Sequence, residues 1–253
     1  MVVMYTWNNV FSRKYYYELE HKISLEKLKE IADNTSLCQI PGLAMFYSQL
    51  VQGIPPIFKH YVANVPALHS VLVFISIKSL PISKVPVKDR FHFRRVEPKE
   101  LNVFHCVVRY GYTDVRNEQE PFEKVLIERL KEFISDDFRL SKRVLSNAKK
   151  EGDVLDGWLE KEKSGSGDVR EFEEDKGQEV IEKEIEAVAK AWHAGIVHLM
   201  GETEVVASEG ASMGKKIMIN YAHNFLKRNL RESKEVVDIP HERMLKVGMT
   251  YEL

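Results

Sequence analysis

The 253-residue sequence has few cysteines and almost no net charge, and these two features argue against two classes of protein. Two cysteines, Cys38 and Cys106, cannot build the framework of a disulfide-rich secreted domain, and so few are typical of a reducing compartment. Lysine and arginine total 37 against 38 for aspartate and glutamate. This balance argues against a dedicated nucleic-acid-binding protein, which usually has a basic excess.

A membrane-spanning stretch is also absent. The longest uncharged run covers residues 34–58, but Pro41, Pro55 and Pro56 interrupt it. A spanning helix needs about 20 mostly apolar residues. The apolar start, residues 1–7, is too short for a signal peptide and has no basic residue before it. Since 44% of the residues are hydrophobic, the chain can build a core, and we expect a soluble folded protein with no transmembrane segment.

Negative charge is concentrated in one segment. Residues 151–187 contain fourteen acidic and five basic side chains, a net charge of −9, so the rest of the chain carries +8. The segment also has several glycines and few large apolar residues. Such a composition cannot offset the entropy lost on ordering, and we predict an acidic mobile linker over residues 145–190. Apolar spacing predicts a helix at its end, over residues 180–191.

Helices and strands alternate on both sides of this linker. The helix signals are a Ser24 N-cap before residues 25–31, prolines before residues 57–64, Pro121 before residues 122–134, and a helical period over residues 214–231. The predicted strands are residues 39–47, 70–78, 90–96, 103–112, 196–200, 204–207 and 247–253. The strand at 70–78 is apolar on both faces, as a central strand would be. We therefore predict an α/β fold, a mixed β-sheet with flanking helices interrupted by an acidic flexible insertion.

One glycine-rich segment suggests a phosphate site. Gly210-Ala-Ser-Met-Gly214-Lys215-Lys216 lies between a predicted strand and a predicted helix. A P-loop needs four residues between its glycines and a hydroxyl after the lysine, whereas three residues intervene here and Lys216 replaces the hydroxyl. A turn followed by a solvated cationic helix is the simpler interpretation, although a basic helix start can attract an anion.

The nine histidines offer pairs but no recognisable metal site. The pairs are His193 with His198, His60 with His69, and His92 with His105 across a predicted hairpin. No cysteine or carboxylate cluster accompanies any of them, and no serine-hydrolase elbow, paired-cysteine zinc spacing or dinucleotide fingerprint occurs. We expect no catalytic residue, no metal and no cofactor, so the residues alone indicate a binding or regulatory domain.

Many ordered segments resemble the C-terminal domain of the plant-type KUP/HAK/KT potassium-uptake transporters. Before the linker they are residues 40–43, 53–69, 71–78, 85–86, 89–91 and 108–114. After it they are residues 204–207, 214–216, 219–229, 239–241 and 247–249. Leu230-Arg-Glu-Ser233 replaces the family's usual Cys-Arg-Gly-Pro, and residues 32–36 lack glycines common there. These are surface-loop differences and leave the resemblance intact.

The resemblance implies that the chain is the cytosolic tail of a transporter that carries potassium with protons. Residues 1–12 would be the remnant of the last membrane helix, residues 13–144 and 191–253 one cytosolic α/β domain, and residues 145–190 its linker. The implied location is the cytoplasmic face of the plasma membrane, with regulatory and subunit-contact roles. The membrane core is absent, so the chain should not transport potassium alone.

The implied partners are the transporter's membrane core and the potassium ion, with a homodimer left open. The excess positive charge points to a basic face that could contact anionic lipid or a nucleotide, formed by Lys215, Lys216, Lys227, Arg228 and Arg231. Two alternatives remain: a free-standing nucleotide-binding enzyme or domain, and an adaptor made from a degenerate gene copy. No acidic pair in a recognisable cyclase setting supports the first.

Overall fold

The structure, a computed structural model, describes residues 2–32, 37–51, 53–114, 121–155, 168–206, 210, 213–216 and 243–252. Its strands are β1 (Cys38–Tyr47), β2 (Ala67–Ser79), β3 (Phe91–Val96), β4 (Val103–Tyr110), β5 (Ile196–Val206) and β6 (Met244–Glu252). Its α-helices are α1 (Val2–Glu20), α2 (Leu25–Ala32), α3 (Pro56–Asn64), α4 (Val87–Arg90), α5 (Phe122–Leu155), α6 (Asp168–Ala194) and α7 (Met213–Lys216).

The described strands form one six-stranded sheet in the order β3-β4-β2-β1-β5-β6. Strands β3 and β4 are antiparallel, and every other neighbouring pair is parallel. The predicted mixed sheet with flanking helices is confirmed. Strand β2 lies inside the sheet, between β4 and β1, and its residues 71–76 are all buried, which confirms the predicted central strand.

The prediction of two short strands after the linker is wrong, because β5 is continuous through Gly201. Gly201 pairs with Val247 of β6 in unbroken register. A Cβ atom at Gly201 would lie 2.9 Å from Cδ1 of Ile57 in α3. The glycine therefore allows α3 to pack closely on the sheet, and it does not mark a turn.

Local sequence signals set the starts of the helices. The backbone N–H of Lys27 donates to the Ser24 hydroxyl at 3.3 Å, which caps α2 as expected. Pro56 occupies the first turn of α3, where no intrahelical N–H is needed. Helix α5 begins after Pro121 as predicted but continues past the expected end at residue 134, and α6 contains the predicted helix over residues 180–191. Parts of the predicted linker, residues 145–155 and 168–190, are therefore helical, and its mobility stays a prediction.

The sheet buries a hydrophobic cluster on each face because successive side chains alternate between the faces. Leu43 and Met45 of β1 belong to the cluster packed by α5 and α6. Ala44 and Phe46 belong to the opposite cluster, which includes side chains of α2 and α3. The domain is thus a three-layer α/β arrangement, and the helix layers cover both faces of the central strands.

A bulge at Gly42 interrupts β1 and shifts its register against β2 between Ile40 and Leu43. Gly42 has a φ of 139°, a conformation that other residues rarely adopt. The Ser70 hydroxyl donates to the Gly42 carbonyl at 3.0 Å and accepts from the Gly42 N–H at 3.2 Å. This bulge explains why Pro41, which cannot donate to the ladder, is tolerated in an inner strand.

Candidate functional site

The order of the sheet reverses beside β1. Strands β2, β4 and β3 continue the sheet on one side of β1, and β5 and β6 lie on the other side. In open sheets with parallel strands, functional groups collect at the carboxyl ends of the strands beside such a reversal. Tyr47 is the last residue of β1, and its side chain faces the layer formed by α5 and α6.

A buried polar network connects this end of β1 to β5 and α5. The Tyr47 hydroxyl lies 3.0 Å from Nδ1 of His198 in β5. Nε2 of the same imidazole lies 2.6 Å from Oε1 of Glu123 in the first turn of α5. The His198 side chain is 1% exposed and that of Glu123 is 12% exposed, so both groups are largely shielded from water.

The hydrogen-bond directions follow from the chemistry of the three groups. A carboxylate only accepts, so Nε2 of His198 donates to Glu123. In the neutral imidazole, Nδ1 is then the acceptor for the Tyr47 hydroxyl. Burial, reinforced by the negative charge of Glu123, raises the pKa of Tyr47 far above its ordinary value. Tyr47 therefore remains a neutral donor. The negative charge of Glu123 is also stabilised by the dipole of α5, because Glu123 lies near the N-terminus of that helix.

The network joins three separate parts of the chain. Nη1 of Arg243, directly before β6, lies 4.0 Å from Oε2 of Glu123. Glu123 thus connects α5, β5 through His198, and the start of β6. Because the histidine is almost completely covered, the arrangement is better suited to holding elements together than to reacting with a substrate.

A second buried polar contact joins α1 to the edge strand β6. The Tyr251 hydroxyl donates to Oε1 of Glu18 at 3.4 Å, and the rings of Tyr17 and Tyr251 lie 4.6 Å apart. Oε2 of Glu18 is buried and has no hydrogen-bond partner. Burial raises the pKa of Glu18, whereas the charge of Lys14 and the hydrogen bond from Tyr251 lower it. The end of α1 is therefore attached to the last strand of the sheet.

An open cleft of about 380 Å³ lies between β3 and α5. Its lining includes Arg95, whose side chain is 10% exposed. Arg95 donates to Asp137 of α5 at 3.2 Å and also forms a bidentate ion pair with Glu184 of α6. The Arg95 guanidinium is occupied by these carboxylates and lies over the Phe104 ring. Arg95 therefore joins the two helices to the sheet, and its role at this cleft is structural.

The predicted basic face falls mostly outside the described residues. Lys215 and Lys216 belong to the short helix α7. Lys227, Arg228 and Arg231 lie outside the part of the chain that the structure describes. The proposed grouping of the five cations therefore stays a prediction.

Three of the histidines considered in the sequence, His92, His105 and His198, have other neighbours in the structure. Within the described residues no group of three histidine, cysteine or acidic side chains is placed to hold a metal ion. The strand register puts His105 opposite Arg94, while His92 is opposite Val107. His198 is paired with Glu123 and not with His193. One local signal for this site was visible in the sequence, a histidine inside the apolar strand around residues 196–200, whereas no signal pointed to its partners.

None of the described helices is both long enough and apolar enough to cross a bilayer. Residues 41–253 match the family model for the "K+ potassium transporter C-terminal domain". No solved structure matches the chain.

Several plant proteins match the chain over its full length. It is 40% identical to "Potassium transporter 5" of Manihot esculenta, 43% identical to "Potassium transporter 5" of Oryza sativa subsp. japonica and 41% identical to "Potassium transporter 5" of Arabidopsis thaliana. Each alignment covers 100% of this chain and 33–36% of the relative, so the chain spans about a third of the length of these curated relatives. The chain therefore belongs to the KUP/HAK/KT family of plant potassium transporters and contains that family's C-terminal domain.

Proposed function

We propose that this chain is the cytosolic regulatory and subunit-contact part of a potassium transporter, whose membrane core moves potassium together with protons. The observation that carries the proposal is the family match over residues 41–253. The matched relatives are named as potassium transporters, and about two thirds of each lies beyond the alignment. We assign the transport path to that remaining part and a non-catalytic role to this chain.

A regulatory role is supported by the way the chain connects its first helix to the sheet. Helix α1 contacts β6 through Tyr17, Glu18 and Tyr251. Strand β6 is paired with β5 along nine positions, and β5 carries His198 of the buried network. In the full-length protein α1 would be the membrane-proximal helix. A rearrangement of the sheet could then reach the membrane core through α1 without any contact to the ion.

The chain alone should move no potassium. An ion path must replace the water around potassium with oxygen ligands across roughly 30 Å of hydrocarbon. None of the described helices is both long enough and apolar enough to cross that layer. Purified chain added to potassium-loaded liposomes should give the leak rate of liposomes without protein. A faster, potassium-selective leak would contradict the assignment of the transport path to the membrane core.

A chimera tests the proposal directly. The matching C-terminal segment of the Oryza sativa potassium transporter 5, which is 43% identical, would be replaced by this chain. Rubidium uptake would be measured in cells that lack their own high-affinity potassium uptake, with the truncated relative as control. We expect the chimera to exceed the truncated form and its uptake to fall when a protonophore collapses the proton gradient. Uptake no better than that of the truncated form would favour a free-standing adaptor.

The predicted basic face can be tested in the same chimera. Replacing Lys227 and Arg228 with glutamate should change uptake if these cations contact the membrane core, anionic lipid or a nucleotide. The matched control reverses Lys84 and Lys88, two exposed lysines in a different part of the domain. Equal uptake for both variants and the unchanged chimera would leave the basic segment an ordinary solvated surface.

The cytosolic location is tested by labelling Cys38, which is exposed, whereas Cys106 is completely buried. In a chimera whose remaining cysteines are replaced, a membrane-impermeant maleimide should label Cys38 only after the plasma membrane is permeabilised. Labelling of intact cells would place the domain on the outer side. A Cys38→Ser variant provides the background signal.

A further inference from the structure

A carboxyl group is buried where α1 meets β6, and only part of its hydrogen-bonding capacity is used. Glu18 is 6% exposed. Its Oε1 accepts a hydrogen bond from the Tyr251 hydroxyl at 3.4 Å, and its buried Oε2 has no hydrogen-bond partner among the described residues. A carboxylate has about four acceptor sites, so one long hydrogen bond leaves most of its charge uncompensated where water is excluded. The site therefore fits the neutral, protonated carboxyl group better than the carboxylate.

The titratable groups around Glu18 do not fully compensate its charge. On α1, Lys14 lies one turn earlier and its charge lowers the pKa of the carboxyl group, but burial outweighs it and the pKa of Glu18 is raised. From β6, Tyr251 stays a neutral donor, because burial and the charge of Glu18 raise the pKa of that phenol. The ring of His21 stacks on that of Tyr17 at 4.1 Å, and its Nδ1 donates to the Tyr17 carbonyl at 2.9 Å.

The same contact attaches the end of α1 to the sheet. The Tyr17 ring lies 4.6 Å from that of Tyr251, which is 1% exposed. Separation of α1 from β6 would return Glu18 to water, where a carboxyl group has its ordinary pKa. Because the docked site holds the proton more tightly, the attachment is strongest when Glu18 is protonated. It weakens as the pH rises from the ordinary carboxyl pKa to the raised one.

We propose that Glu18 is a proton-dependent latch, in which the protonated carboxyl group holds α1 on β6 and loss of the proton loosens the helix. In the proposed regulatory role, α1 connects the sheet to the membrane core. The latch makes that connection tighter as the cytosol becomes more acidic and looser as it becomes more alkaline. This inference rests on the proposed function, which places α1 next to the membrane core, whereas the docking of α1 on β6 is a property of the chain itself.

Hydrogen exchange of the purified chain tests the latch. Protection of the backbone amides of residues 8–20 would be followed by mass spectrometry from about pH 5 to about pH 7.5, with labelling times adjusted for the intrinsic exchange rate at each pH. We expect this protection to fall severalfold as the pH rises. It should stay below that of residues 71–76 in the buried strand β2, because α1 can open without unfolding of the sheet. Glu18→Gln keeps the shape of the side chain but cannot ionise, so the protection of α1 should become independent of pH.

The matched control is Glu20→Gln, which alters an exposed carboxylate two positions away and should retain the pH dependence of the natural chain. Tyr251→Phe removes the donor to the carboxylate, so it should raise the pKa of Glu18 further and extend the loss of protection to higher pH.

Three results would overturn the inference: equal pH dependence in the natural chain and Glu18→Gln, an unchanged profile in Tyr251→Phe, or exchange of α1 only together with β2. Hydrogen exchange measures no transport, so its failure would leave the chimera test of the proposed function untouched. Failure of the chimera would likewise leave the docking of α1 to be judged by hydrogen exchange alone.

Discussion

Nε2 of His198 lies 2.6 Å from Oε1 of Glu123, and this contact fixes the first turn of α5 to the interior of the sheet. The two residues are 75 positions apart in the chain, and the rest of α5, the acidic segment and α6 lie between them in sequence. A short contact between nearly buried polar groups leaves each strongly dependent on the other, because water cannot replace a lost partner. The consequences can be measured by removing one partner at a time.

Glu123→Ala should destabilise the domain by about 1–3 kcal/mol, since the buried imidazole of His198 loses its carboxylate partner. Urea unfolding followed by circular dichroism gives the free energy of unfolding. Glu128→Ala, at an exposed position of the same helix, should change it by less than about 0.5 kcal/mol. Equal losses in the two variants would mean that the network contributes nothing beyond helix propensity.

Phe74→Ala should lower the free energy of unfolding by about 3–5 kcal/mol. Phe74 is 0% exposed in the central strand β2, and its ring packs 5.3 Å from that of Phe46 and 5.4 Å from that of Phe58. The control, Leu140→Ala, removes a side chain that is 59% exposed and should cost little. A loss below about 1 kcal/mol at Phe74 would contradict its place in the core.

Arg95→Met should be far more damaging than Arg129→Met. The Arg95 side chain is 10% exposed and joins Asp137 and Glu184, so its loss leaves two carboxylates unpaired, at a cost of about 3–5 kcal/mol. Arg129 pairs with Glu132 at the surface, where such pairs contribute about 0–1 kcal/mol. Thermal and urea unfolding of both variants would give the comparison, and similar stabilities would show that the buried pair is dispensable.

Glu18→Gln should change how stability depends on pH. Burial raises the pKa of Glu18 in the folded state, so the folded state holds this proton more tightly than the unfolded chain. Its charged form therefore costs stability, and the cost grows as pH rises through the raised pKa. The variant lacks this charge, so its advantage over the natural chain should be larger at about pH 7.5 than at about pH 5.

The matched variant is Glu20→Gln, which alters an exposed carboxylate two positions away. Its stability difference from the natural chain should stay nearly constant over the same pH range. A constant difference for Glu18→Gln as well would show that the buried carboxylate is not charged differently in the folded and unfolded states.

Limited proteolysis should cut first between residues 151 and 177. This expectation comes from the charge of −9 and the glycines of the acidic segment, which leave little to bury. Mass spectrometry of early fragments locates the cuts, and hydrogen exchange should be fast over the same residues. Strong protection there would indicate a folded acidic subdomain. We expect removal of the segment to leave the melting temperature almost unchanged. A clear fall would also indicate a folded subdomain.

Elements with local signals could be predicted from the sequence alone. Alternating and continuous apolar runs identified β1, β2, β3 and β4, and the serine and proline signals identified the starts of α2, α3 and α5. The family resemblance was also visible in the sequence, because it rests on segments that match the family in the same order along the chain. Where the local signal was ambiguous the prediction was wrong: Gly201 suggested a turn between two strands but lies inside one strand.

Contacts between residues far apart in the chain were visible only once the whole fold was known. The partnership of Tyr47, His198 and Glu123 depends on β5 returning to lie beside β1, which no local pattern specifies. The inward direction of Glu18 and the outward face of Tyr5 and Tyr16 likewise depend on where α1 packs against β6. Apolar periodicity records whether a side chain is buried, whereas the identity of its neighbour is set by the order in which strands assemble.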